Sequence, residues 1–256
     1  MTKAGNRVML LIPTLNEETA IRKLLNNALN TLALTLPPKY DYNIVVADGG
    51  SDDHTETIVE SIAMRNDTVK LIHVPHGKGN GVRAAIHWAK GQYDYIFMLD
   101  GDGTYSPKNV PALLPFLEEP ESHTKWQVQV MGKDSNTRYD IVCGARKARA
   151  PGAMSRAHVF GNAILTVFAD LLYWPSFTSD LCTGMWGFRA SALEELPLVA
   201  ERFELEADLF SCAAKKGLRI YCGPIAYGAR ANGDRAKLRM WDGMLIAWHL
   251  VKRRFT

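Results

Sequence analysis

The stretch YIFMLDGDGTYSP, Tyr95 to Pro107, carries a mostly apolar run straight into two aspartates, Asp100 and Asp102, with a glycine after each. Gly101 and Gly103 permit tight backbone bends, so both carboxylates can face one point. Two carboxylates so placed can hold one divalent cation, Mg2+ or Mn2+, of the kind that also takes phosphate oxygens as ligands. A D-x-D pair alone also suits a solvated turn. Other polar groups narrow the choice. Asp48 closes the apolar run NIVVA. A carboxylate there can accept hydrogen bonds from a base or ribose, or simply shape a turn. Glu17, in PTLNEE behind Pro13, can do similar work or face a helix N-terminus. HGKGNG, residues 76–81, is a glycine-rich loop with one lysine, Lys78, entering a helix. It can cradle phosphate, although it lacks the Walker pattern.

These groups need elements to position them. RVMLLI (7–12), YNIVVAD (42–48), VKLIHV (69–74) and YDYIFMLD (93–100) read as short buried strands. AIRKLLNNAL (20–29), the segment after GGSDD, and VRAAIHWAK (82–90) read as helices, with Ser51 or Asp52 placed to cap the second. Alternation of this kind predicts an α/β fold, with parallel strands joined by crossover helices through about residue 118. Ligands of such sheets sit beyond the carboxyl ends of the strands. PTLNEE, DGGSDD and DGDGT should therefore converge on one sheet edge.

The second half is less regular. Residues 120–138 are polar and read as a loop or small hairpin. YDIVCGAR (139–146) is a strand, and Met154 to Trp174 a long helix candidate. CTGMWGFRASALEEL (182–196) reads as a strand and a helix. ELEADLFSCAAKKG (204–217) is an amphipathic helix stopped by Gly217. LRIYCGPIAY (218–227) is a strand broken at Pro224, and 237–254 a closing helix. The division expected is one domain over 1–240, with a donor half (1–118) and an acceptor half (139–240), followed by an amphipathic helix (241–256).

Composition excludes several classes. Hydrophobic residues at 47% and charged residues at 22% fit a soluble globular chain rather than a disordered one. A net charge of +3 is too small to imply nucleic acid as a partner. The four cysteines, Cys143, Cys182, Cys212 and Cys222, form no C-x-x-C pair, so they are expected to be reduced in a cytoplasmic protein. The first apolar run spans only five residues before a proline, and no signal peptide is expected. No uncharged apolar run reaches the roughly 18 residues of a transmembrane helix. In Met154 to Trp174, His158, Asn162, Thr166 and Asp170 recur every four residues as one polar stripe on an otherwise apolar helix. Such a helix is either buried on most sides or rests in a membrane interface. The closing MLIAWHLVKRRF sets tryptophan and leucines before three basic residues. It suits either an anionic membrane surface, as a peripheral protein of the cytoplasmic face, or packing on the domain.

Taken together, IPTLNEE, VVADGGSDDHT, HGKGNGVRAA and MLDGDGTYSP occur in an order that resembles the family 2 glycosyltransferases of GT-A fold, most closely the dolichyl- or polyprenyl-phosphate mannosyl- and glucosyltransferases. YDIVCGAR, SDLCTGMWGFRASALEEL and FELEADLFSCAAKKGLRIYCGPIAYGARANGDRAKL continue the resemblance, over roughly residues 7–240. The resemblance implies that Pro13, Glu17 and Asp48 line the nucleoside pocket of a GDP- or UDP-sugar donor, and that Asp100 and Asp102 hold the metal on its diphosphate. It implies that Arg146 and Arg156 clamp the phosphate of a polyprenyl or dolichyl phosphate acceptor. Arg230, Arg235 and Lys237 would lie on a loop closing over the phosphates, and Asp180 and Thr183 near the transferred sugar. Four features depart from the family pattern: Gly49 stands where a second acid is usual, Ala236 where a serine is, Thr104 where some relatives carry an amide ligand, and residues 120–138 look longer than the usual connection.

The reaction implied is inverting displacement at the anomeric carbon. An anionic phosphate acceptor needs no general base, whereas a hydroxyl acceptor does, with Asp180, Glu204 and Glu206 as candidates. A Q-x-x-R-W signature of processive relatives is absent, which argues against polymer synthesis. A soluble acceptor, a nucleotidyltransferase and a non-catalytic nucleotide-sugar binder are the rival readings. The glycine-rich loop with arginine and lysine that a nucleotidyltransferase carries after its first strand is replaced here by PTLNEE, and the intact Asp100/Asp102 pair argues against the binder.

Overall fold

The computed structural model describes residues 6–120, 123, 127, 131–230 and 240–256. Strands β1 (Asn6–Thr14), β2 (Tyr40–Asp48), β3 (Val69–His73) and β4 (Tyr95–Met98) alternate with helices α1 (Ile21–Thr35), α2 (Thr55–Ala63) and α3 (Lys78–Ala89), followed by the short α4 (Asn109–Leu113). Then come β5 (Ile141–Arg149), α5 (Arg156–Leu172), β6 (Trp186–Arg189), α6 (Ala190–Glu194), α7 (Leu205–Lys215), β7 (Ile220–Tyr227) and α8 (Met240–Phe255). The seven strands form one sheet in the order β3-β2-β1-β4-β6-β5-β7. β1 pairs in parallel with β2 and β4, and β2 with β3, as the alternation predicts. β6 runs antiparallel between β4 and β5, and β5 and β7 are parallel.

The apolar runs are continuous because both sheet faces are covered. Met9 and Leu11 of β1 pack with α3, α7 and the buried side of α8, while Val8, Leu10 and Ile12 pack with α1 and α2. Register then sets the working edge: Thr14 stands opposite Asp48, and β4 ends beside β1, two residues before Asp100. The three polar strand ends do converge.

Several expectations need correction. α3 begins at Lys78, inside the glycine loop, rather than at Val82. Neither Ser51 nor Asp52 caps α2; Asp53 Oδ1 accepts the Thr55 N–H, and the Ser51 hydroxyl turns back to Asp48. β7 does not break at Pro224, which sits opposite Ala145 on an edge strand, where a missing N–H costs no ladder bond. The closing helix is described over Met240–Phe255, and positions 237–239 of the expected span lie outside the described residues. Cys143 and Cys222 stand opposite each other in the β5–β7 register and form a disulfide, so the four cysteines are not all free thiols. The pair is 79 residues apart in sequence, and no local motif announces it. Of segment 120–138, residues 132–136 form a single 3-10 turn, and no hairpin occurs among its described residues. No helix among the described residues is long and apolar enough to cross a membrane.

Candidate active site

A cavity of about 1250 Å3 lies along the carboxyl edge of β1, β2 and β4. Pro13, Glu17, Gly49, Lys78, Asp100, Asp102, Arg146, Glu206 and Arg230 line its polar end. Asp48 itself stays behind this wall, buried, with Oδ2 accepting the Gly50 and Ser51 N–H groups and Oδ1 the Ser51 hydroxyl. It shapes the DGGS turn that presents Gly49 to the cavity.

The turn after β4 is built around its two aspartates. Asp102 Oδ1 accepts both the amide and the hydroxyl of Thr104, at 3.0 and 2.6 Å, and Asp102 Oδ2 lies 2.7 Å from Arg230. Thr104 therefore fixes the orientation of the Asp102 carboxylate. Asp100 Oδ1 takes Lys78 Nζ at 2.6 Å. Its other oxygen, Oδ2, nests against Gly184, where an added Cβ would lie only 2.1 Å away. That cradle admits the carboxylate and no larger residue at 184. The donor set, two carboxylates on a glycine turn with a cation partner each, fits one hard divalent ion that draws its remaining ligands from phosphate and water. Among the described residues a separate group of three possible ligands, Asp48, Glu56 and His73, has its ligand atoms within 4.8 Å of one another and shares only Asp48 with the predicted site.

Lys78 is the hub of the polar end. Its Nζ also donates to Glu206 Oε1 at 2.5 Å. Burial opposes its charge, but Asp100 and Glu206 outweigh that and hold it above the usual lysine range. Burial raises Glu206 above the ordinary carboxyl range, Lys78 opposes the rise, and Asp100 adds to it. The glycine loop itself was visible in the sequence; the Lys78–Glu206 contact across 128 residues was not.

Arg146 and Asp180 form a second unit. The guanidinium donates to both Asp180 oxygens, Nε to Oδ2 at 2.7 Å and Nη2 to Oδ1 at 2.6 Å, and the Arg146 amide donates to Oδ2 at 3.0 Å. Asn162 Nδ2 adds a bond to Oδ1 at 2.9 Å. Asp180 is 2% exposed and does not line the cavity; it holds Arg146, which does. Tyr227 flanks the Arg146 guanidinium at 5.4 Å. Burial keeps the charged form of Arg146 at a cost that the Asp180 bonds more than offset, so it stays above its usual range. Thr183 donates to the Gly144 carbonyl at 2.6 Å and is fully buried beneath the cavity floor. Arg156 is exposed at the first turn of α5 and is not among the lining residues, whereas its neighbours Ser155, Ala157 and His158 are. His158 Nδ1 contacts Ser155 Oγ at 2.7 Å, leaving Nε2 buried without a partner. Arg235 and Lys237 lie outside the described residues.

The candidate bases are all committed. Glu204 Oε1 accepts the Glu201 and Arg202 amides, Asp180 carries four donors, and Glu206 carries Lys78. Cys182 lines the cavity, but burial pushes its thiol up to about 12, so it stays protonated near neutral pH.

The far end of the cavity is apolar. Ile164 and Leu165 of α5 and Met244, Ile246 and Ala247 of α8 line it. α5 differs from an ordinary surface helix: Leu165, Phe168, Ala169 and Leu172 pack against the core beside its polar stripe, and other large apolar residues stay outside. Asn162 Oδ1, Thr166 Oγ1 and Asp170 Oδ1 accept the amides of Cys182, Leu181 and Thr178, so the polar stripe turns inward and holds the 178–182 segment. The apolar residues left outside include Phe160, 68% exposed, Leu171, 74%, and Trp174 just after the helix, 69%. Trp241, Met244, Leu245 and Trp248 of the neighbouring α8 are likewise exposed.

Comparison with known proteins agrees with this geometry. The model of the family described as glycosyl transferase family 2 matches residues 9–197. Glycosyltransferase AglJ of Haloferax volcanii is 28% identical over 97% of this chain and 72% of its own length. Undecaprenyl-phosphate mannosyltransferase of Micrococcus luteus is 25% identical over 89% of this chain and 86% of its own. Among solved structures, glucosyl-3-phosphoglycerate synthase of Mycobacterium tuberculosis, in complex with Mn2+, uridine-diphosphate-glucose and phosphoglyceric acid, superposes with a TM-score of 0.65 at 18% identity. That match covers 99% of this chain and 81% of the other, and it is a likeness of GT-A fold.

Proposed function

The chain belongs to glycosyl transferase family 2, and from that premise we propose that it transfers a hexose from a nucleotide sugar to a polyprenyl phosphate, inverting the anomeric centre. The observation that carries this reading is the single cavity running from the Asp100/Asp102 turn, past Arg146, to an apolar wall on α5 and α8. A nucleoside diphosphate suits the charged end and a lipid chain the other. Relatives named for such chemistry include the Micrococcus enzyme and a UDP-N-acetylglucosamine–dolichyl-phosphate transferase of Methanococcus voltae.

In this scheme Asp100 and Asp102 hold Mg2+ or Mn2+ against the diphosphate. The ion, when bound, offsets the charge that grows on the leaving group. Pro13 and Glu17 flank the nucleoside, and Lys78 and Arg230 supply fixed positive charge beside the phosphates. Arg146, preset by Asp180, aligns the acceptor phosphate for in-line attack on the anomeric carbon. The acceptor oxygen is already anionic near pH 7, which suits a site whose candidate bases are all occupied. The exposed apolar residues of α5 and α8, with Trp241 and Trp248 among them, and Trp174 just after α5, would rest in the headgroup layer of the membrane that supplies the lipid.

A second reading keeps the donor end and gives Arg146 a small water-soluble phosphorylated acceptor, the kind named in the glucosyl-3-phosphoglycerate synthase complexes. The apolar cavity wall disfavours it. The two separate in one assay comparing polyprenyl phosphate, the matching polyprenyl alcohol and a soluble phosphate ester. Transfer to the lipid phosphate alone supports the proposal. Transfer to the soluble ester alone defeats it.

A further inference from the structure

Asp208 on α7 is fully buried, takes no part in the cavity, and yet gathers an unusual set of partners. Its Oδ2 accepts the amides of Val199 and Ala200 at 2.6 and 2.8 Å. Its Oδ1 lies 2.7 Å from Arg253 Nε and 3.2 Å from His249 Nε2, both on α8. Both contacts are close in distance but fall outside hydrogen-bond alignment, and the Arg253 guanidinium adds its charge to the Asp208 carboxylate. Arg253 also donates to the Pro197 carbonyl at 2.7 Å. Burial works against the ionised Asp208, but His249, the two amides and Arg253 together hold its carboxyl below the usual range.

The segment that Asp208 pins is the backing of the glycine loop. Asn80 N donates to the Glu201 carbonyl at 3.0 Å. A Cβ on Gly77 would come within 2.5 Å of that carbonyl oxygen, and one on Gly79 within 2.4 Å of the Ala200 carbonyl oxygen. The loop therefore lies flat on residues 200–201 with no slack, and it carries Lys78 to Asp100. A contiguous path runs from α8 through Asp208 and residues 199–201 to Lys78.

We propose that Asp208, held by Arg253 and His249, is a positioning residue of the donor site, and that seating of the C-terminal helix thereby sets the placement of Lys78. This rests on the reading of the cavity's polar end as a nucleoside-diphosphate site. It ties the helix that forms the apolar acceptor wall to the loop that serves the donor, within one packed unit.

The test is amide hydrogen exchange on the full chain, wild type against Arg253→Ala, Arg253→Lys and Asp208→Asn, with GDP and UDP titrations in Mn2+ and donor kinetics alongside. Breaking the latch should speed exchange across residues 77–82 by about tenfold. It should weaken the nucleotide by a similar factor and raise the donor KM about tenfold, with kcat at saturating donor within about twofold. Arg253→Lys should recover part of each effect. Faster exchange confined to 240–255, with 77–82 unchanged in both Arg253→Ala and Asp208→Asn, overturns the coupling. Unchanged nucleotide affinity in both variants overturns it too while leaving the donor site intact. A wild type that binds neither nucleotide defeats the donor-site reading and with it this role for Asp208.

Discussion

The two ends of the cavity are built on opposite rules. At the donor end the apolar residues are buried in β1, β2 and β4, and charged side chains meet at the strand ends: Lys78 with Asp100 and Glu206, Arg230 with Asp102. At the acceptor end α5 turns its polar stripe inward and leaves large apolar side chains outside. Charge that is preorganised inside the protein suits a diphosphate, because fixed partners need little rearrangement when charge shifts. An outward apolar face gains nothing in water and stabilises only when something apolar covers it. Under the proposed reading, one end meets the donor with fixed charge and the other meets the lipid with apolar surface.

Breaking the donor end should have the largest effect. Asp102→Ala should lower transfer by about a thousandfold or more, the scale of several kcal/mol of charge stabilisation at the leaving group. A metal titration of initial rates checks it; unchanged rates, or full activity with chelator, would remove the metal role. Next comes the joint between the ends. Arg146→Ala should cut lipid-phosphate transfer by about a hundredfold but donor hydrolysis by under about tenfold, read from separate label and nucleotide-release assays. Equal losses would place Arg146 outside the acceptor contact. Its partner sharpens the point: Asp180→Ala leaves the 6%-exposed Arg146 without its bidentate partner and should cost about 3 to 5 kcal/mol in denaturant unfolding. An unfolding midpoint like that of the wild type would make the pair dispensable.

The acceptor end should respond more mildly. Replacing Trp241 and Trp248 together by serine should weaken partition onto anionic vesicles about tenfold or more while leaving nucleotide affinity alone. Vesicle sedimentation measures it, and unchanged partition would turn the α8 face from a membrane surface into a surface for some other contact. The smallest effect is expected at Lys237, in the segment inferred from resemblance to close over the phosphates. Lys237→Ala should lower kcat a few-fold with little change in donor KM.

How much of this was legible in the sequence follows the same divide. The donor end is local. Apolar runs ending in PTLNEE, DGGSDD and DGDGT, with helices between, place their ends on one edge by topology alone. What a short motif could not reveal was which partner each carboxylate takes. Lys78 meets Glu206 across 128 residues, and Asp100 fits only because Gly184 leaves room. The CTG run containing Gly184 was visible, but its meaning depends on β6 running antiparallel beside β4. At the acceptor end the four-residue polar stripe of α5 was plain, while its direction was not. Periodicity shows that a helix has two faces; only the 178–182 segment packed on it decides which face turns inward. Arg156 and His158 face opposite ways, Arg156 to solvent and His158 to the cavity, since a two-residue step turns a side chain about 200° round a helix, to its opposite side. The Cys143–Cys222 disulfide depends on the β5–β7 register, which no spacing rule could supply.

The measurement that tests the account most directly is a two-phase transfer assay. Purified protein, a polyprenyl phosphate in vesicles, and a panel of labelled GDP- and UDP-sugars are incubated with Mn2+ or Mg2+ and, in parallel, with chelator. The account predicts label in the organic phase for one donor, dependent on the metal and released by mild acid as a sugar phosphate linkage would be. Nucleotide release with the label left wholly in the aqueous phase would contradict it, and would assign the apolar wall of α5 and α8 to something other than the acceptor.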